Sequence, residues 1–187
     1  MQNYVENLSI FFERSKTYTW SVAQVIMGSL FIAACAQITI PLYPVPMTMH
    51  TFGIFMLAVM QGGKKSLSST LLYLVLVSLG LPFLAGGTSH PLWFMGASAG
   101  YLVAFPIAAF LIGELIERCK KPTPLKILGS LLCGQVVIYT LGVLFLTRLL
   151  SLEQSFLVGL VPFLPLAGLK LLMATSMSGL WLRWKRS

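Results

Sequence analysis

From Ser21 onward the chain is a succession of apolar stretches: Ser21 to Ile38, Met47 to Met60, Leu67 to Leu81, Ala99 to Ile116, Leu125 to Thr147, and a last one from Pro162 or Pro165 to Trp184. Only short polar or proline-rich breaks separate them. A segment that is apolar on every side has no face to turn to water, and in hydrocarbon it must satisfy its own backbone polar groups, which makes it a helix. Crossing a bilayer takes about 20 apolar residues, so this length holds about six or seven spans with short loops and no separate aqueous domain. Composition agrees: of 187 residues 57% are hydrophobic and 10% charged, whereas roughly a quarter are charged in a soluble domain. The mean hydropathy is +0.85. The chain is read as an all-α membrane protein with six transmembrane helices, and a large extramembrane enzyme module is excluded.

The breaks carry information of their own. IPLYPVP, with Pro41, Pro44 and Pro46, cannot continue a helix. The second and third stretches, at about 15 residues each, fall short of a full span and are expected to tilt little or to be extended by irregular backbone. Pro82 to Gly100 is rich in glycine and proline yet has no formal charge, so this loop is expected to fold back into the protein. No internal repeat is evident, and the inverted-repeat plan of many secondary transporters is not supported.

Charge sets the orientation. With the N-terminus in the cytoplasm, Arg14, Lys16, Lys64, Lys65, Arg118, Lys120, Lys121, Lys126, Arg183, Lys185 and Arg186 all lie inside and Arg148 outside; with Lys170 these account for all 13 cations. Such an asymmetry favours both termini inside. Residues 1–20 are read as a cytoplasmic leader without a signal cleavage site, 21–184 as one six-helix domain, and 185–187 as a cytoplasmic tail. The cations punctuate apolar runs and accompany no RNA- or DNA-binding motif, so nucleic acid is not expected as a partner. Cys35, Cys119 and Cys133 form no pair, and neither a disulfide framework nor a metal site is indicated.

Lys170 is the exception among the cations, because it falls inside the last apolar stretch. An ammonium there costs at least about 2.5 kcal/mol unless it is paired or snorkels. If Pro165 occupies the first turn of that helix, Lys170 sits about 7 Å below the outer end, where no glutamate is at hand. An anionic ligand is one partner for it; a snorkelling lysine that binds nothing is the other reading. The two outer breaks flank this position, one carrying Thr48 and His50, the other Gly86, Gly87, His90, Trp93 and Phe94. Tyr43, Phe83, Trp93, Phe94 and Tyr101 either wall a pocket or form the interfacial aromatic belt. Gln135 and Tyr139 share one face of the fifth stretch and either line the pocket or bind a neighbouring helix. On the first stretch Ser29 and Ala33, with Gly28 and Ala36 beside them, permit close approach of another helix, internal or foreign.

A competing class is an intramembrane hydrolase, because Gly96-Ala97-Ser98-Ala99-Gly100 matches the pattern of a nucleophile elbow. The chain has no Asp, and both His50 and His90 precede Ser98, which argues against it. Gly62-Gly63-Lys64-Lys65-Ser66 is not a phosphate-binding loop, because Ala58 stands where its first glycine belongs.

Several motifs in order resemble the BioY family, the biotin-specific substrate-binding components of energy-coupling-factor (ECF) transporters. SLFIAACAQITIPLYPVPMTMHT, LLYLVLVSLGLPFLAGG, GASAGYLVAF and IYTLGVLFL are similar to family signatures and extend over about Gly28 to Met173. The resemblance implies the S-component fold in a cell membrane and biotin held in a pocket opening outward. The positions it would place there are Thr48, His50, Tyr73, Phe83, Gly86, Gly87, His90, Phe94, Tyr101, Gln135 and Lys170. It implies no enzymatic activity and no cofactor. It also implies that Ser29 and Ala33 contact a transmembrane coupling protein driven by two ATPase subunits. The family's acid three residues before the lysine is Ala167 here, its glutamine is His50, and a related vitamin is the alternative ligand.

Overall fold

The computed structural model describes the backbone of residues 2–184 and the side chains of residues 18–184. Lys185, Arg186 and the rest of the expected tail lie outside the described residues, as do the side chains of Glu6, Glu13, Arg14 and Lys16. Helix α1 (Gln2–Gln37) leads into a two-stranded antiparallel ribbon, β1 (Thr39–Ile40) with β2 (Met47–Thr48), in the register Thr39↔Thr48 and Ile40↔Met47. There follow α2 (His50–Gln61), α3 (Gly63–Ser78), α4 (Ala99–Glu117), α5 (Pro124–Leu146), α6 (Leu152–Gly159) and α7 (Leu164–Trp184).

Tyr18–Gln37 of α1, α4, α5 and the segment Leu152–Trp184 are each long and apolar enough to cross a membrane, and α2 is a shorter apolar helix. Their outward faces expose Leu30, Phe31, Leu132, Val136, Leu144, Leu172, Met177 and Leu180. Such a girdle is tolerated in hydrocarbon and not in water; the chain is an integral membrane protein. Six helices, α1 to α5 and α7, form its body.

Helix α4 is the centre of the bundle and packs against α2, α3 and α5, while α1 covers α2 and α3, and α7 lies against α2 and α5. The core is built from Ile54, Phe55 and Ala58 of α2, Ala104, Ala108 and Ile112 of α4, and Leu131 and Ile138 of α5, all without exposed surface. Small residues decide how near the helices come. A Cβ at Gly142 would enter the Tyr101 ring, and one at Gly134 would strike Ile112. Both glycines let α5 approach α4 directly.

Local chemistry fixes the ends. Thr123 caps α5 by accepting from the Lys126 amide at 3.4 Å with Pro124 in the first turn, and Ser151 caps α6 by accepting from the Gln154 amide at 3.3 Å. Helices α2 and α3 are joined by Gly62 alone, whose φ of 80° suits glycine. The Gly63 amide donates to Glu117 Oε2 at 3.2 Å, which docks this turn on the end of α4.

Helix α1 runs unbroken past residue 20, because nothing in the leader breaks a helix. Three expectations need amending. Helix α3 begins at Gly63 and not at Leu67, since Lys64, Lys65 and Ser66 lie at its end, where charge is cheap. The break between the fifth and the last apolar stretch, read as short and polar, contains α6. Ser29 and Ala33 face inward, 0% and 5% exposed: at neighbouring Gly28 a Cβ would strike Ser69, Gln61 and Leu57 of α2 and α3. The small-residue face expected to receive a foreign helix is occupied by the chain's own.

Candidate ligand-binding site

The loop after α3 is held down by side chains at several points. Tyr73 donates to the Phe83 carbonyl at 3.0 Å, Ser89 to the Gly80 carbonyl at 2.6 Å, and Trp93 Nε1 to Ser78 Oγ at 2.9 Å. Two single 3₁₀ turns, Ala85–Gly87 and Trp93–Met95, lay the loop over the end of the bundle; residues 86–92 are exposed, so the loop lies on the protein and does not fold into it as its lack of charge led one to expect. Gly86 and Gly87 take φ of 64° and 75° to make the first of these turns.

Beneath the loop lies a cavity of about 210 Å³. The ribbon contributes Val45, Pro46 and Thr48, the start of α2 His50 and Thr51, and the loop Leu84, Ala85, Thr88, His90 and Trp93. Ser98, Tyr101, Leu102 and Phe105 come from one face of α4, Ile138 and Tyr139 from α5, and Phe163 and Lys170 from the start of α7 and the turn before it. The walls are mostly aromatic and aliphatic with a few placed polar groups, the usual make-up of a small-molecule site.

Lys170 is 5% exposed, so it does not snorkel. Its amine donates to the Thr48 carbonyl at 2.5 Å and to Thr51 Oγ1 at 3.4 Å. Both acceptors are neutral, and among the described residues no carboxylate lines the cavity. An ammonium has three N–H donors; two are used, and the third is left for whatever enters. Elsewhere in the wall Tyr101 donates to the Gly159 carbonyl at 2.6 Å and stacks on Phe163 at 6.2 Å, with Tyr139 edge-on to the same ring at 6.4 Å. This arrangement anchors the turn between α6 and α7 to α4.

Of the expected site residues, Thr48, His50, His90, Tyr101 and Lys170 line the cavity. Tyr73 stands one layer behind, hydrogen-bonded to His50 Nε2 at 2.7 Å, and Phe83 contributes a carbonyl to that layer. Gly86 and Gly87 are exposed and shape the loop from outside, and Phe94 is turned away, 52% exposed. Gln135 is buried in α5, off the cavity, with Oε1 unpartnered. Sequence reasoning missed Val45, Thr51, Leu102, Phe105, Ile138 and Phe163. The α4 pair was recoverable, since Leu102 and Phe105 share a helical face with Ser98 and Tyr101. Phe163 had no periodic signal.

This constellation can bind and orient a small amphipathic anion. It is poorly equipped for acyl transfer: Ser98 borders the cavity, but both ring nitrogens of His50 are engaged, Nδ1 with Thr48 Oγ1 at 2.7 Å and Nε2 with Tyr73.

Comparison with known proteins agrees with this architecture. A probable biotin transporter BioY from Pyrococcus horikoshii is 34% identical over 144 residues, covering 75% of this chain and 85% of that protein. The biotin transporter BioY of Thermotoga maritima is 35% identical over 155 residues, covering 81% and 90%. A crystal structure of the S-component for biotin from an ECF-type ABC transporter superposes with a TM-score of 0.80, covering 92% of this chain and 94% of that one at 24% identity, which establishes the S-component fold. The BioY family model matches residues 7–186, and the chain belongs to the BioY family.

Proposed function

We propose that the chain takes up biotin, acting as the membrane-embedded binding component of an ECF-type transporter in the cell membrane. The observation that carries this reading is Lys170, the one lysine or arginine among the described residues of the cavity wall, with two of its three donors used there, in a chain whose relatives are named biotin transporters. Biotin presents one carboxylate for that donor, a fused ring system for the walls formed by Tyr101, Phe105, Tyr139 and Phe163, and a ureido group for neutral hydrogen-bonding residues such as Thr88, His90 and Ser98.

Sidedness follows from charge. The cavity lies at the start of α4, whereas Arg118, Lys120, Lys121 and Lys126 lie at and beyond its other end. Cations gather on the cytoplasmic side, so the cavity opens outward and the termini lie inside. Coupling to a transmembrane partner and two ATPases would use the face of α1 that is free, with Met27, Leu30, Phe31 and Ala34, and not the buried Ser29 and Ala33.

Purification in detergent followed by mass spectrometry of the retained small molecule tests the assignment. Biotin is the expected mass; a different vitamin would keep the class and overturn the ligand.

A further inference from the structure

The cavity wall conceals a chain of hydrogen bonds, and one assignment of its protons satisfies every link at once. The Tyr73 hydroxyl gives its single proton to the Phe83 carbonyl, which can only accept, at 3.0 Å. With that proton so placed, the phenol oxygen accepts at its contact with His50 Nε2, 2.7 Å away. A neutral imidazole with its proton on Nε2 has a bare Nδ1, and that nitrogen accepts from Thr48 Oγ1 at 2.7 Å. The Thr48 carbonyl in turn holds the Lys170 amine. His50 is 3% exposed and Tyr73 is fully buried, so Tyr73 has no water to replace a lost partner. The chain runs from α7 through the β-ribbon and α2 to α3 and the loop above the cavity.

We propose that His50 and Tyr73 are positioning residues: through Thr48 they preset the Lys170 amine for the ligand's anion, and His50, with both ring nitrogens engaged, makes no hydrogen bond to the ligand itself. The idea rests on the reading of Lys170 as the ligand's counter-charge. Removing one link leaves buried partners unsatisfied and frees Thr48 to shift. The loss should then fall on the part of the ligand that Lys170 holds.

The test uses the full chain in detergent, with biotin and biotin amide titrated by calorimetry. Tyr73→Phe, which removes the hydroxyl's bonds to both His50 and the Phe83 carbonyl, is expected to weaken biotin about tenfold, and the amide by less than about twofold on the same scale. In a Lys170→Met background, Tyr73→Phe should cost nothing further, because coupled residues are not additive. His50→Leu should repeat the Tyr73→Phe loss, and His50→Gln, which can both donate to Tyr73 and accept from Thr48, should recover most of it. Nitrogen-15 NMR of the wild-type protein should show the His50 proton on Nε2, an observation that stands even if the variants fold poorly.

Equal losses for acid and amide, full additivity with Lys170→Met, or an Nδ1-protonated ring would overturn the positioning role. If Lys170→Met alone left biotin affinity unchanged, the counter-charge reading would fall and this proposal with it, an outcome distinguishable from additivity.

Discussion

Lys170 on α7 and Thr48 on β2, 122 residues apart in the chain, are joined by a hydrogen bond from the lysine amine to the threonine's main-chain carbonyl at 2.5 Å. The amine is held at a fixed point of the cavity wall, by neutral oxygens that leave its charge uncompensated. A buried charge without a counter-ion is costly, and an arriving carboxylate relieves that cost. The same bond makes Lys170 a structural tie between α7 and the ribbon.

Replacing Lys170 by methionine removes a charge-assisted hydrogen bond, a loss of about 1.5 to 3 kcal/mol. The expected effect on biotin is roughly ten- to a hundredfold weaker binding, with the amide analogue almost indifferent to the substitution. Isothermal calorimetry on the two ligands checks this. Equal losses for both would assign Lys170 to the ring or to the shape of the wall.

The geometry of α1 predicts different outcomes at neighbouring positions. Ala33→Trp forces a large ring into a face that is 5% exposed, so it should lower thermal stability and biotin binding together, since overpacking costs about 1 to 3 kcal/mol or more. Ala34→Trp lies on the exposed face and should leave binding intact while abolishing uptake in whole cells. Normal uptake by Ala34→Trp would move the partner surface elsewhere.

How much of this was legible in the chain depends on the kind of information. The apolar runs located α1, α4, α5 and α7, because length and hydropathy suffice when lipid is the solvent. Lys170 stood out for the same reason: a lysine in an apolar run must either find a partner or snorkel, and its burial decides between the two. What failed was the inward or outward direction of a face. The span Tyr18–Gln37 of α1 is apolar on nearly every side, so Ser29 and Ala33 gave no sign that α2 and α3 already cover them. The His50–Tyr73 contact joins residues 23 positions apart on separate helices, and no periodicity reports such a pair. Helix α6 hid in a segment whose polar residues suit a loop equally well.

At Gly142 an added methyl would meet the Tyr101 ring, the same ring that stacks on Phe163 and donates to Gly159. Gly142→Ala should therefore destabilise the protein by about 1 to 3 kcal/mol and loosen the Tyr101–Phe163 wall. Tyr101→Phe, which keeps the ring and loses only the bond to the Gly159 carbonyl, should cost less than Gly142→Ala by thermal denaturation. The reverse order would mean that the hydroxyl, and not the fit of the ring, holds α6 in place.

Ser98→Ala separates the binding protein directly from the serine hydrolase that the Gly96–Gly100 pattern suggested. A binding protein loses at most one neutral hydrogen bond, about 0.5 to 1.5 kcal/mol, and uptake persists; a serine hydrolase would be inactive.

The central claim, that the cavity between α2, α4, α5 and α7 is a biotin site, is tested most directly by titrating biotin into the purified full chain, with thermal unfolding followed in parallel. One saturable site with measurable heat is expected, together with a stabilisation of about 2.7 kcal/mol at a ligand concentration a hundred times the dissociation constant, both diminished in Lys170→Met. No heat and no shift with biotin, while another vitamin produced both, would contradict it.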